Sequence, residues 1–111
     1  MPKRHFQVLW SDAAIRDLEE IVIFITVDSE SDARRLWKRL RERAAALETT
    51  PARGRVVPEL AEFGMRAWRE ILVRPYRLVY RIEADNVVVL AVFDGRRDLE
   101  DILLERLVRI S

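Results

Sequence analysis

Polar and apolar positions divide the chain into segments of different period. Phe6, Val8 and Trp10 alternate with His5, Gln7 and Leu9, which predicts a short strand. Ser11 follows where an N-cap belongs, with Asp12 behind it to complement the helix dipole. Ala14, Ile15, Leu18, Ile21, Val22 and Ile25 then recur at helical spacing and fill an arc of roughly 120°, which predicts a helix over about 12–27. Asp28-Ser-Glu-Ser31 breaks that pattern and supplies caps for a second helix. Its apolar arc of roughly 100° holds Ala33, Leu36, Trp37, Leu40, Ala44 and Leu47, and it must end before Pro51. The short turn between the helices predicts an antiparallel hairpin.

The second half changes character. Residues 51–54 read as loop. Segments 67–74, 76–83 and 86–93 are rich in aromatic and β-branched residues and read as strands, with a hairpin turn at Asp85-Asn86. In the last strand both alternating sets are apolar: Val87, Val89, Ala91 and Phe93 on one side, Val88, Leu90 and Val92 on the other. Such a strand is covered on both faces. Leu99, Ile102, Leu103, Leu107 and Ile110 predict a C-terminal helix capped by Asp98. The expected order is β-α-α-β-β-β-α, an α+β fold with the helical hairpin packed on a small, largely antiparallel sheet.

Composition narrows the chemistry. The 111 residues (1–111) fit one domain, and a chain half hydrophobic and 35% charged is not disordered. Twenty Lys+Arg against 19 Asp+Glu leave +1, so no global field points to nucleic acid. With no Cys and only His5, thiol nucleophiles, zinc centres and a Ser–His–Asp triad are disfavoured, and neither a metal nor a cofactor is expected. The longest apolar run, Val87 to Phe93, is far short of the ~20 residues of a membrane span, and the N-terminus has no signal-peptide core. A cytoplasmic protein with no membrane association is expected. Charge is unevenly placed: residues 51–97 carry nine Arg against six acids, a net +3, while 98–111 carry a net −2.

Several segments taken together resemble the RelE/ParE superfamily of toxins from type II toxin–antitoxin systems. They are Trp10-Ser-Asp-Ala-Ala with Asp17-Leu-Glu-Glu-Ile21; Pro51 with Gly54-Arg55-Val-Val-Pro-Glu-Leu60; Arg69-Glu-Ile71; Tyr76-Arg-Leu-Val-Tyr80; and Phe93-Asp-Gly-Arg-Arg-Asp98. The likeness runs from Phe6 to Arg106 and is carried by order and spacing. The long hairpin, the Gly-Arg-x-Val-Pro-Glu-Leu segment and the Gly-Arg-Arg-Asp ending resemble the ParE-like branch, although Asp94 stands where those sequences often carry His.

The resemblance implies a growth-arresting toxin, of the kind associated with plasmid stabilisation. It would bind and inhibit DNA gyrase and be neutralised by a cognate antitoxin in a hetero-oligomer, with a homodimer also open. The alternative from the RelE-like branch is a ribosome-dependent mRNA endoribonuclease, for which Glu59, Arg69, Tyr80 and Arg97 are the candidate catalytic residues. A third is a degenerate toxin that only binds its antitoxin. Candidate antitoxin contacts are Ile23, Phe24 and Val27, which lie outside the core arc of the first helix, and Arg77 and Arg81, which share one strand face. The three apolar residues either lie under the turn into the second helix or form a partner surface. Leu104 and Val108 lie off the main arc of the C-terminal helix and raise the same question.

Overall fold

The computed structural model describes residues 4–102 and 106. Strand β1 (Gln7–Trp10) leads into helices α1 (Asp12–Thr26) and α2 (Glu30–Ala45), followed by two 3-10 turns, Ala46–Glu48 and Pro51–Arg53. Strand β2 (Arg55–Val56), helix α3 (Pro58–Ala61), and strands β3 (Trp68–Val73), β4 (Tyr76–Glu83) and β5 (Asn86–Asp94) complete the order. Residues 99–102 are helical. The sheet runs β1-β5-β4-β3-β2, antiparallel except where β1 lies parallel to β5. The architecture is α+β, with the helical hairpin on one face of the sheet. β2 and α3 are additions to the expected order. Two and four residues are too few for either period to register in a sequence.

Capping follows the chemistry that the sequence offered. The Ser11 hydroxyl accepts the Ala14 N–H at 3.1 Å, and Ser29 caps α2 by accepting the Asp32 N–H at 3.2 Å. Asp98 accepts the Glu100 N–H at 2.9 Å as the final helical segment begins. Of the predicted C-terminal apolar residues, Leu99 and Ile102 are buried. Leu103, Leu104, Leu107, Val108 and Ile110 lie outside the described residues.

Two cores share the sheet. The larger lies under the helices and joins Ala14, Leu18, Leu36, Leu40, Ala44 and Leu47 to Ile71, Val73, Leu78, Tyr80, Val87, Val89 and Val92. The smaller, on the opposite or open face, gathers Val57, Leu60, Val79, Ala91, Phe93, Leu99 and Ile102. Trp37 and Ile15 were expected inside but are exposed at the margins of their arcs. Trp37 instead carries the Arg41 guanidinium 5.0 Å above its ring, and the same guanidinium lies 5.8 Å from the Trp10 ring.

The alternation expected along β5 breaks at one residue. Val79 pairs with Ala91 but Tyr80 pairs with Val89, so Leu90 is an extra residue, a β-bulge. Val87 and Val89 face the helices; beyond the bulge Val92 does, while Ala91 and Phe93 face the open side. The Val92 N–H, on the β5 edge beyond the end of β1, donates to the Asp17 carboxylate of α1 at 3.0 Å, and Asp17 also pairs with Arg106. Burial pushes the Asp17 carboxyl up, against the pull of these two partners.

The β4–β5 turn lies one residue earlier than the sequence suggested. Asn86 pairs with Glu83, and the loop is Ala84-Asp85, with Ala84 at φ +52°. The hairpin twist demands left-handed backbone, and the Ala Cβ crowds it. Ala84→Gly is expected to stabilise the protein by about 0.5–1 kcal/mol, read as a higher urea midpoint at unchanged slope.

Candidate functional site

The site is built where the chain leaves α2 and enters the sheet. Tyr80 is fully buried on the helix side. Its hydroxyl donates to the Pro51 carbonyl at 2.6 Å and accepts the Gly54 N–H at 2.9 Å. Burial raises the Tyr80 phenol above its ordinary value, so it stays protonated and keeps both bonds. A Cβ on Gly54 would sit 2.6 Å from both the Glu70 carbonyl and the Tyr80 hydroxyl, so only glycine passes there. Arg69 braces the same segment by donating to the Gly54 carbonyl at 2.7 Å.

The open face carries an ion network on β2, β3, β4 and α3. Glu70 is 1% exposed. One of its oxygens accepts Arg77 Nε at 2.6 Å and the other accepts Arg55 Nε at 2.7 Å. Arg77 turns its two Nη groups onto Glu59 at 2.7 and 2.8 Å, a bidentate fork, and stands 5.3 Å from the centre of the Phe93 ring. This hydrogen-bonded fork holds the Glu59 carboxyl below its ordinary range and raises Arg77. At the end of β5, Asp94 accepts the Arg96 N–H and its guanidinium, which bring its carboxyl down to about 2.

Beside this network lies an apolar cleft of about 330 Å³, lined by Val57, Leu60, Trp68, Val79, Phe93 and Leu99 among others, with Arg16 and Arg106 also in its wall. A second cleft, of about 530 Å³, is lined by Arg55, Glu59, Arg74, Tyr76, Arg77 and Arg96 together with Leu72, Pro75 and Gly95. Among the described residues no group of three acids or histidines is placed to hold a metal ion, and no helix is long and apolar enough to cross a membrane.

The four candidate catalytic residues do not converge. Tyr80 and Arg69 hold the 51–54 segment on the helix side, while Glu59 is on the open face, fixed to Arg77. Arg97 lies beyond the end of β5, its N–H donating to the Asp94 carbonyl at 3.0 Å. Of the two outcomes left open for the first helix, the structure gives the exposed one: Ile23, Phe24 and Val27 are 66%, 76% and 83% exposed. Arg77 and Arg81 share the open face as expected, but Arg77 is buried and its donors are held by Glu59 and Glu70. It is therefore not available to a partner's carboxylates. Arg81 lies 5.6 Å from the centre of the Trp68 ring and pairs with Glu83. Sequence reasoning missed Glu70 and Arg55 as the centre of the network. The available signal was a lone acid within the apolar run of β3, which burial permits only with cations at hand.

Comparison with known proteins places this architecture. Residues 8–99 match the family model for the ParE toxin of the parDE type II toxin–antitoxin system. The chain belongs to this family, and so to the toxins of type II toxin–antitoxin systems. No curated protein sequence matches it. Among solved structures, it is similar to a chain of the chromosomal ParDE toxin–antitoxin system from P. aeruginosa at 17% identity and a TM-score of 0.67, over 82% of this chain and 97% of that one. It is also similar to a chain of the RelBE2 toxin–antitoxin complex from Mycobacterium tuberculosis, at 23% identity and TM-score 0.60, over 81% and 91% of the two chains. These likenesses extend the family match to the fold.

Two outcomes test the network. Arg77→Met removes the fork on Glu59 and one of two cations on buried Glu70, and is expected to cost about 3 kcal/mol or more in chemical denaturation. Because Arg77 depresses Glu59, that carboxylate's contribution is present above its ordinary value of 4.5 and is lost as pH falls through its lower folded value. Stability should therefore fall on acidification below about pH 4.5, and less steeply in Glu59→Gln, as read from urea midpoints across pH.

Proposed function

We propose that this toxin acts by binding, inhibiting DNA gyrase in the cytoplasm, and that a cognate antitoxin neutralises it in a hetero-oligomer. The observation that carries the non-enzymatic reading is the division of the candidate catalytic set between two faces of the sheet. Cleavage at a ribose 2′-hydroxyl needs a base and an acid within reach of one phosphate. Here Tyr80 is buried with its proton engaged on Pro51, and Glu59 is held ionised in a fork that leaves it a weak base. Family membership supports the toxin class and with it an antitoxin partner.

For the antitoxin we propose two contact areas. Ile23, Phe24 and Val27 are apolar anchors at the tip of the hairpin, where the structure leaves them in solvent. Arg81 is the accessible cation of the pair first considered, and Arg77 supports that face from beneath through Glu59 and Glu70.

Purified toxin in excess is expected to block gyrase supercoiling or trap its cleaved DNA; no effect on either overturns the gyrase reading. Primer extension on ribosome-bound message after induction is expected to show no in-frame cuts, whereas cuts that vanish in Arg69→Ala would establish the endoribonuclease instead. Phe24→Ala, checked as folded, should weaken the antitoxin complex by about 2 kcal/mol in titration calorimetry.

A further inference from the structure

We propose that the apolar cleft of about 330 Å³ is a binding site for a small amphipathic acid, a molecule with an apolar body and one carboxylate, and that Arg16 holds the carboxylate. The cleft follows from the way the sheet ends on one side. β1 is four residues long and covers β5 only as far as Val89. The chain then leaves the sheet at Ser11 to begin α1, so that Ser11, Ala13 and Arg16 line the cleft. Immediately beyond Val89 comes the Leu90 bulge, which turns Ala91 and Phe93 to the open face beside Val79. Val57 and Leu60 enclose the space from the α3 side, and Leu99 and Ile102 from the segment after Asp98. Ala91 is the smallest side chain of β5, and a larger one there would take up room that the cleft now has.

Volume and lining state what fits. A cleft of this size lies at the lower end of the range used by small organic ligands, whose sites are apolar with a few placed polar groups. The described lining is apolar apart from Ser11, Arg16 and Arg106, and contains no acid. Ser11 is engaged by the Ala14 N–H, and Arg106 gives Nη2 to Asp17. Nη1 of Arg106 is buried and has no partner among the described residues. Arg16 is exposed and has no hydrogen bond or ion pair among them. One cation beside an apolar cavity is thus unanswered, and a guanidinium suits a carboxylate.

Other ligand chemistries use only part of this. Inorganic phosphate answers the charge but has no body to set against Val57, Leu60 and Trp68. A hydrocarbon fills the cavity and leaves Arg16 unused. A nucleotide asks for polar partners to its base and sugar that an apolar lining does not supply. An acyl or aryl acid uses both parts, its chain or ring removed from water and its charge at the rim. The site lies at the start of α1, away from the Ile23, Phe24 and Val27 tip at its other end, and rests on neither the gyrase nor the antitoxin reading.

The test uses the full chain with decanoate, kept below its micelle concentration, and with decanol as the uncharged molecule of the same body. Decanoate should bind one to one in titration calorimetry, more weakly as salt rises, and should shift the methyl NMR signals of Val79, Ala91 and Leu99. In Arg16→Glu the affinity for decanoate relative to decanol should fall about tenfold. Ala91→Leu, checked as folded, should weaken both ligands, because the added side chain takes their place. Absence of saturable decanoate binding, or saturation without shifts at those three methyl signals, overturns the site and needs no variant. An unchanged ratio of decanoate to decanol affinity in Arg16→Glu overturns the role of the charge and with it the acid as ligand. Wild-type affinity for both in folded Ala91→Leu puts them outside the cleft and overturns it as well.

Discussion

A carboxylate with almost no contact with water organises the open half of this molecule. Glu70 sits in the middle of β3, and an ionised acid there is several kilocalories per mole out of place unless cations and hydrogen bonds replace its hydration. Two guanidiniums do so from the neighbouring strands, one per oxygen, which fixes the lateral positions of β2 and β4 around β3. Arg77 then has its Nη edge to place, and Glu59 receives it, which brings the one-turn helix α3 onto the sheet. The order of elements between 55 and 77 is in this sense an electrostatic arrangement, within which Val57 and Leu60 find their apolar partners. The helix side is different in kind: there the sheet is held by side-chain packing around the buried Tyr80 hydroxyl, which is satisfied twice.

The parts of this fold that could be read ahead are those in which many residues repeat one instruction. The two helices carry five or six apolar positions each at one spacing, with a serine at each start, so their limits fall within a residue or two of the expectation. Three strands declared themselves by β-branched and aromatic runs. What stayed hidden depends on single residues. The Leu90 bulge has no composition of its own in a run of valines, yet it exchanges the faces addressed by the residues after it. Ala84 occupies a left-handed position where the nearby Asn86 was the better chemical candidate. Just before β2 the Gly54 amide donates to a phenol 26 residues away in sequence, and no local pattern announces a contact of that range.

The site was legible in composition and obscure in arrangement. An arginine-rich second half was evident, and Arg77 and Arg81 do share a face. Which arginines serve the protein itself was not evident, because that is decided by acids brought in from other elements: Glu59 and Glu70 take Arg77, and Asp94 takes Arg96. Arg74 is exposed and pairs with no acid among the described residues. The exposed apolar tip was visible as residues left over from a helical arc, and the structure shows that the hairpin turn is too short to fold back over them.

The bulge at Leu90 makes β5 two half-strands in opposite phase. Its first half, with Val87 and Val89, belongs to the scaffold under the helices; in its second half Ala91 and Phe93 belong to the surface that carries the clefts. Substitution of Ala91 or Phe93 therefore reshapes the open side while the helix-facing core, Val92 included, keeps its composition. For a protein whose partners are under pressure to change, this separation lets a lineage alter what it recognises at a rate independent of the rate at which it alters how it folds.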